Sequence, residues 1–287
     1  MARLREAPDD LFALVGRTAE AMRLPPEFVE KDYWITELLR SIARPVENAH
    51  VVFKGGTSLS KGYELIRRFS EDVDILLVPA APGGSTPGKG SVDRILKGLC
   101  ARAQADLGIS GADAVLESSS TGVHRNMRFG YAARFPAPAV KPGVLLEMGI
   151  RGGPGPRPRR TLVEKLAVVH RLASGLPATE GDLRKAARHL YDIHQLLSDA
   201  GVRASLGGSG VFAAEVEADM VAIGAKWGFA HAPRPVAGFS RSPAFEAGHP
   251  SQPILAAGLA GIRDLVLGPL PTIEECRRVV GESADLL

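Results

Sequence analysis

The sequence has little cysteine, few aromatics and no long apolar run. Its two cysteines, Cys100 and Cys276, lie far apart and fit no metal-ligand spacing. A disulfide framework is therefore excluded, and a reducing cytoplasm is the expected location. The N-terminal stretch "MARLREAPDDLFALVG" lacks the continuous apolar core of a signal peptide. No apolar run approaches the ~18–20 residues of a membrane span. The formal net charge is only +3, so bulk charge does not announce a nucleic-acid binder. What is present is ordinary globular composition, with 45% hydrophobic and 23% charged residues. A length of 287 residues suffices for one large domain or two of usual size.

The chain shows no internal repeat. Asp9 to about Leu24 carries apolar residues at helical spacing, and Pro25–Pro26 ends that helix and starts another through "EFVEKDYWITELLRSIA". "HVVF" (His50–Phe53) reads as a buried strand. "GGTSLSKGYELIRR" reads as a loop opening a helix, with Leu59, Tyr63 and Ile66 on one stripe. "DVDILLV" returns to strand, and "PAAPGGSTPGKGS" is a Pro/Gly loop. A helix is expected over Val92–Leu107, then strands at "NMRFGYAARF" and "VLLEMGI". "RGGPGPRPRR" (Arg151–Arg160) reads as a basic linker, and the domain boundary is placed there. Beyond it the pattern is helical almost throughout, broken by the long insert "GFAHAPRPVAGFSRSPAFEAGHP". The expected fold class is α+β: an N-terminal domain over 1–155 that mixes strands and helices, then a helical bundle over 156–287.

Asp72 and Asp74 are the oddity. Two residues apart on a strand, they share a face and lie within roughly 7 Å of each other. Like charges at that spacing repel and lose hydration, so a positive partner is expected. Magnesium suits carboxylate oxygens joined by substrate phosphates. An edge strand with two solvated aspartates is the plainer alternative. The glycines upstream shift the balance. Gly55 and Gly56 permit close approach of backbone to a ligand, and the helix that follows presents free N–H groups beside the hydroxyls of Thr57 and Ser58. The spacing is not that of the GxxxxGK[ST] phosphate loop. Glu147, inside the apolar run "VLLEMGI", supplies a third carboxylate, paired either with metal or with a nearby arginine. Three such acids on adjacent strands suit two-metal nucleotidyl transfer, and Glu147 is also a candidate proton acceptor.

These residues carry a resemblance. "FKGGTSLSK…RFSEDVDI" resembles the signature of the AbiEii family of nucleotidyltransferase-like toxins, which share the polymerase-β-type nucleotidyltransferase fold. The likeness extends to "EKDYW" (Glu30–Trp34), "EKL" (Glu164–Leu166) and "RHLYDIHQLL" (Arg188–Leu197), and so to about residue 200. It implies that Gly55, Gly56, Thr57 and Ser58, with Lys61, hold the triphosphate of an NTP. Asp72, Asp74 and Glu147 would bind Mg2+ (or Mn2+). Lys165 and Asp192 carry over as the family's lysine and aspartate; Lys165 would reach a phosphate, and Asp192 would orient that lysine or contact base or ribose. A surface helix charge is the bland alternative for each. Where family sequences often read "RDLYD", this chain has His189 in place of the acid. The resemblance further implies a metal-dependent transferase acting on RNA, most naturally the 3′ end of tRNA, and a cognate antitoxin partner. Nucleotidylation of a protein or small molecule, or a non-catalytic NTP-binding module, are the rival expectations. Arg151, Arg157, Arg159 and Arg160, and Arg234 and Arg241 with Phe239 and Phe245, are candidate RNA contacts. Ser70, two residues before Asp72, is a candidate regulatory phosphorylation site.

Overall fold

Hydrophobic alternation and capping residues account for most of the elements seen in the computed structural model, which describes residues 4–79, 88–137, 140–150, 158–175, 179–227 and 231–287. The elements are α1 (Pro8–Met22), α2 (Pro26–Ile42), β1 (Ala49–Lys54), α3 (Gly55–Lys61), β2 (Asp72–Pro79), α4 (Lys89–Leu107), β3 (Ala114–Ser120), β4 (His124–Phe129) and β5 (Val144–Gly149). There follow α5 (Pro158–Ala173), α6 (Glu180–Ala186), α7 (Arg188–Ser198), α8 (Ala200–Leu206), α9 (Val211–Trp227), α10 (Ser251–Ala260) and α11 (Ile273–Gly281). The α+β class read from the sequence is what the chain adopts. The chain divides into two compact units, Met1–Phe53 with Phe69–Arg151, and Lys54–Arg68 with Gly152–Leu287. Most of the Pro/Gly loop after β2, the boundary drawn between 155 and 156, and Arg151 and Arg157 lie outside the described residues.

The first unit is built on a five-stranded mixed sheet of order β1-β2-β5-β4-β3. β2 and β5 run parallel, with Asp74 opposite Glu147 and Asp72 opposite Leu145. β5–β4 and β4–β3 are antiparallel. Period-two alternation sends Val73, Ile75, Leu77, Leu146 and Met148 to one face, where they pack on Ile35 and Leu38 of α2 and Leu96 and Leu99 of α4. Each such burial is worth roughly 1.5–3 kcal/mol. Two charged residues of α2 brace the chain between β4 and β5. The buried Glu30 carboxylate accepts the amides of Arg134 and Phe135, and the buried Lys31 ammonium donates to the carbonyls of Lys141 and Gly143, both at 2.6 Å. Trp34 stacks on Tyr131.

The second unit is a helical bundle. Leu162 and Leu166 of α5, Leu190 and Tyr191 of α7, Leu255 of α10 and Val280 of α11 meet in its core, joined by Leu59 of α3 and Ile66. Thr179 starts α6 through a reciprocal cap with Asp182, and Thr272 starts α11 through one with Glu275. Gly258 lets α10 lie close to α6: a side-chain carbon there would sit 2.3 Å from the Arg184 carbonyl oxygen.

Four expectations need correcting. The helix of "GGTSLSKGYELIRR" begins at Gly55 and stops at Lys61, so Tyr63 is exposed and Ile66 is buried from an irregular segment. Glu64 there has φ 56°, outside the helical region. The helical pattern read beyond the linker is divided more finely over "DLRKAARHLYDIHQLLSDA": α6 ends at Ala186 and α7 starts at Arg188, and α8 starts on the Asp199 cap, whose carboxylate accepts Val202 N–H. β3 was not anticipated; its "AVLESSS" is an exposed edge strand without apolar alternation. Phe239 and Phe245, read as candidate RNA contacts, are buried in the helical core and so are not placed to stack on a base.

Leu146 is fully buried at the centre of the sheet. Leu146→Ala is expected to lower unfolding free energy by about 2–5 kcal/mol, read as a drop in the urea midpoint with an unchanged slope.

Candidate functional site

The sequence-read site residues fall on both units. In the first, β2 and β5 place Asp72, Asp74 and Glu147 on the sheet face opposite the helices. All three are half-buried. Residues paired across strands share a face, so Asn126 of β4, opposite Glu147, joins them. Its amide donates to a Glu147 oxygen at 3.2 Å. Burial pushes the Lys31 ammonium below the usual lysine range, and Glu71 and Asp72 nearby pull it back up. Lys31 thus lies close enough to Asp72 for the two charges to act on each other. Ser70 is half-buried, ahead of the acidic strand.

Hard oxygen donors on one face suit a magnesium-type cation in ligand chemistry. Among the described residues no three Asp, Glu, His or Cys side chains already converge as a ready-made cage. A magnesium ion needs only one or two carboxylates when substrate phosphates and water complete its shell. The Asp74–Glu147 register supplies two carboxylates at adjacent strand positions, so the donor set fits.

In the second unit Gly55 opens α3 with φ 71°, a left-handed conformation that glycine adopts without a Cβ clash. Gly56, Thr57 and Ser58 are buried, and the Ser58 hydroxyl donates to the Gly55 carbonyl at 2.9 Å. Lys61 is exposed at the end of the helix.

Lys165 of α5 and Asp192 of α7 come together. The Lys165 ammonium lies 2.8 Å from Asp192 Oδ2. Arg68 grips the same carboxylate as a fork, Nε to Oδ1 at 2.7 Å and Nη2 to Oδ2 at 2.8 Å. Asp192 is 0% exposed, with Lys165 at 6% and Arg68 at 7%. Burial pushes the Asp192 carboxyl up, but the charges and hydrogen bonds of Arg68 and Lys165 prevail and hold it well below the usual carboxylate range. The Lys165 ammonium also lies 3.3 Å from His189 Nδ1. An ammonium only donates, so Nδ1 accepts and the neutral ring carries its proton on Nε2. Burial, and then the Lys165 charge, depress the His189 pKa well below normal, which keeps the ring neutral. Among the described residues, two of the three lysine donors are therefore engaged. Asp192, closed off from solvent with both oxygens bonded, is placed to orient Lys165 rather than to read a base.

Arg68 was missed. A buried aspartate demands a cation, but its partner is 124 positions away, and nothing local distinguishes Arg68 from Arg67. The backbone offers the reason for the choice. Arg67 N–H donates to the Tyr191 hydroxyl, Arg67 O accepts Leu267 N–H, and Arg68 bridges to Val266. Of the basic candidates in described segments, Arg160 binds Glu164 and Asp219, Arg159 lies over the Phe212 ring and donates to Ser205 O, and Arg234 donates to Leu287 O. Arg241 is exposed.

A cavity of about 280 Å3 opens in the second unit where α5, α6 and α7 meet, lined by Arg171, Asp182, Lys185, Arg188 and His189 with Val168, Leu172 and Ala186.

Asp192 and His189 both make stability fall on acidification. A carboxyl with a depressed folded pKa contributes fully above its unfolded value of 3.8, and that contribution is lost as pH falls. A histidine held neutral is penalised below its unfolded value of 6.5. Urea midpoints should therefore fall from about pH 6.5 and more steeply below about pH 4. Asp192→Asn should lower stability at pH 7 by about 3–5 kcal/mol, because two buried cations lose their counter-charge, and should flatten the acid limb.

A family model described as Nucleotidyl transferase AbiEii toxin, Type IV TA system, matches residues 37–222, well over half the chain. No curated protein matches it.

Proposed function

This chain belongs to the AbiEii family of nucleotidyl transferase toxins of type IV toxin–antitoxin systems, and we propose that it transfers nucleotides from an NTP to RNA, at the 3′ acceptor end of tRNA, so blocking translation. The observation that carries the transfer chemistry is the in-register pairing of Asp74 with Glu147 on the same sheet face as Asp72. Carboxylates gathered on one half-buried strand face repel one another, and a divalent cation offsets that charge. Asp72, Asp74 and Glu147 would hold Mg2+ or Mn2+. Such an ion, when bound, offsets negative charge on phosphate oxygens. Glu147 accepts the proton of the attacking hydroxyl. Gly55, Gly56, Thr57 and Ser58 present backbone and hydroxyl groups to the triphosphate, with Lys61 as a further cation. Lys165, held by Asp192 and His189, would reach a phosphate. Asp192 and Arg68 position that lysine.

The described residues include no helix long and apolar enough to cross a membrane. A cytoplasmic site of action beside tRNA, and an antitoxin that restrains the enzyme there, belong to the same proposal.

Incubation with labelled NTPs and magnesium, offering total tRNA or total protein, tests the acceptor. Label should enter RNA; label in protein alone would replace tRNA with a protein acceptor, and no label would leave a binding module. Asp72→Ala is expected to reduce incorporation by at least about 100-fold with an unchanged unfolding midpoint, and full activity in that variant would sink the metal assignment. Ser70→Glu places negative charge beside the acids and should weaken NTP binding. Undiminished activity in Ser70→Glu would remove Ser70 as a control point.

A further inference from the structure

The cavity between α5, α6 and α7 plays no part in the chemistry above, yet its lining is uneven in charge. Arg171, Lys185 and Arg188 bring three cations to it, against one acid, Asp182. That acid offsets part of the charge of Lys185 and Arg171, and it also serves a helix cap. Its carboxylate accepts the Thr179 amide at 2.9 Å and the Thr179 hydroxyl at 2.8 Å, as the cap of α6. Arg171, Lys185 and Arg188 form no ion pair among the described residues. Like charges gathered around one concavity repel, and an anion relieves that repulsion. His189 adds a neutral donor. It lines the cavity, and with Nδ1 accepting from Lys165 the ring carries its proton on Nε2.

A volume of about 280 Å3 lies at the bottom of the range for small-molecule sites. It suits one or two phosphate groups, not a whole nucleotide. A triphosphate carrying magnesium also needs carboxylate oxygens, and among the described lining residues only Asp182 is an acid, its oxygen already accepting two hydrogen bonds as a helix cap. A phosphodiester needs none, and arginine forks match its paired oxygens.

We propose that this cavity is a subsite seating a backbone phosphate of the nucleic-acid acceptor, which positions the strand without reading its sequence. The proposal rests on the RNA-acceptor reading given above. Arg188 and His189 are consecutive at the start of α7, and His189 touches Lys165, so an acceptor phosphate held here lies one side chain from the lysine.

The test uses the full chain and two probes, total tRNA and inorganic tripolyphosphate with magnesium. Binding of each is measured over a range of salt concentrations for the unmodified chain, for Arg171→Gln and for the double variant Lys185→Gln/Arg188→Gln. Lys185 and Arg188 are exposed, and an unchanged unfolding midpoint checks that the fold survives. The double variant should bind tRNA about tenfold more weakly, with a log–log salt dependence shallower by about 1 for each phosphate no longer neutralised. Tripolyphosphate affinity should stay at the unmodified value. Unchanged tRNA affinity and salt slope would overturn the subsite. Equal loss for tripolyphosphate would make the cavity a triphosphate site and overturn the acceptor assignment. If the unmodified chain binds no tRNA, the RNA-acceptor reading falls first and the subsite with it.

Discussion

A carboxylate with no exposure, held between an arginine fork and a lysine, is the constraint on which the helical unit depends. Asp192 joins three parts of the chain: the irregular segment ending at Arg68, α5 through Lys165, and its own helix α7. Desolvating three charges is expensive, and a packed apolar cluster of the same volume would be as stable or more so. What the ionic arrangement supplies is position. A guanidinium fork fixes the plane of the carboxylate, the carboxylate fixes the ammonium, and the ammonium fixes the tautomer of His189. Each group in the series has its orientation set by the one before, so the lysine ammonium is held without side-chain freedom to lose.

The sheet unit solves a different problem with a simpler device. Alternation along β2 and β5 separates an apolar face, sealed by α2 and α4, from a face carrying Asp72, Asp74 and Glu147. The acids can be half-buried because their strands are anchored from the other side. Glu30 and Lys31 extend that anchoring to the chain before β5, and Lys31 lies within electrostatic reach of Asp72. Rigidity on one face is what allows a crowd of acids on the other.

Much of this was legible in the sequence, and the reasons for the failures are specific. "DVDILLV" and "VLLEMGI" were readable because period-two alternation is local and strong. The α+β class followed from the same signal giving way to helical spacing. The end of α3 at Lys61 was not readable. The left-handed Glu64 diverts the chain there, while Leu59 and Ile66 mimic a continuing helical stripe. β3 escaped notice because an exposed edge strand buries nothing to pattern. Phe239 and Phe245 misled because a Pro/Gly-rich insert usually keeps its aromatics outside, whereas this one folds back through short helical turns onto the bundle. The Lys165–Asp192 pair was anticipated as two functional residues. Their shared partner was not, since sequence separation hides tertiary pairing.

The same arginine fork has a consequence in time. The helical unit takes Lys54–Arg68 from early in the chain and everything else from Gly152 onward, with most of the sheet made in between. Arg68 and Asp192 are 124 residues apart. At roughly 5–20 residues per second, a ribosome delivers the aspartate about 6–25 s after the arginine. Throughout that interval the guanidinium remains hydrated, the segment before β2 is untethered, and Lys165, itself a late arrival, has nothing to hold it. The arginine fork therefore closes only once Asp192 has been made, so this part of the helical half forms late in synthesis.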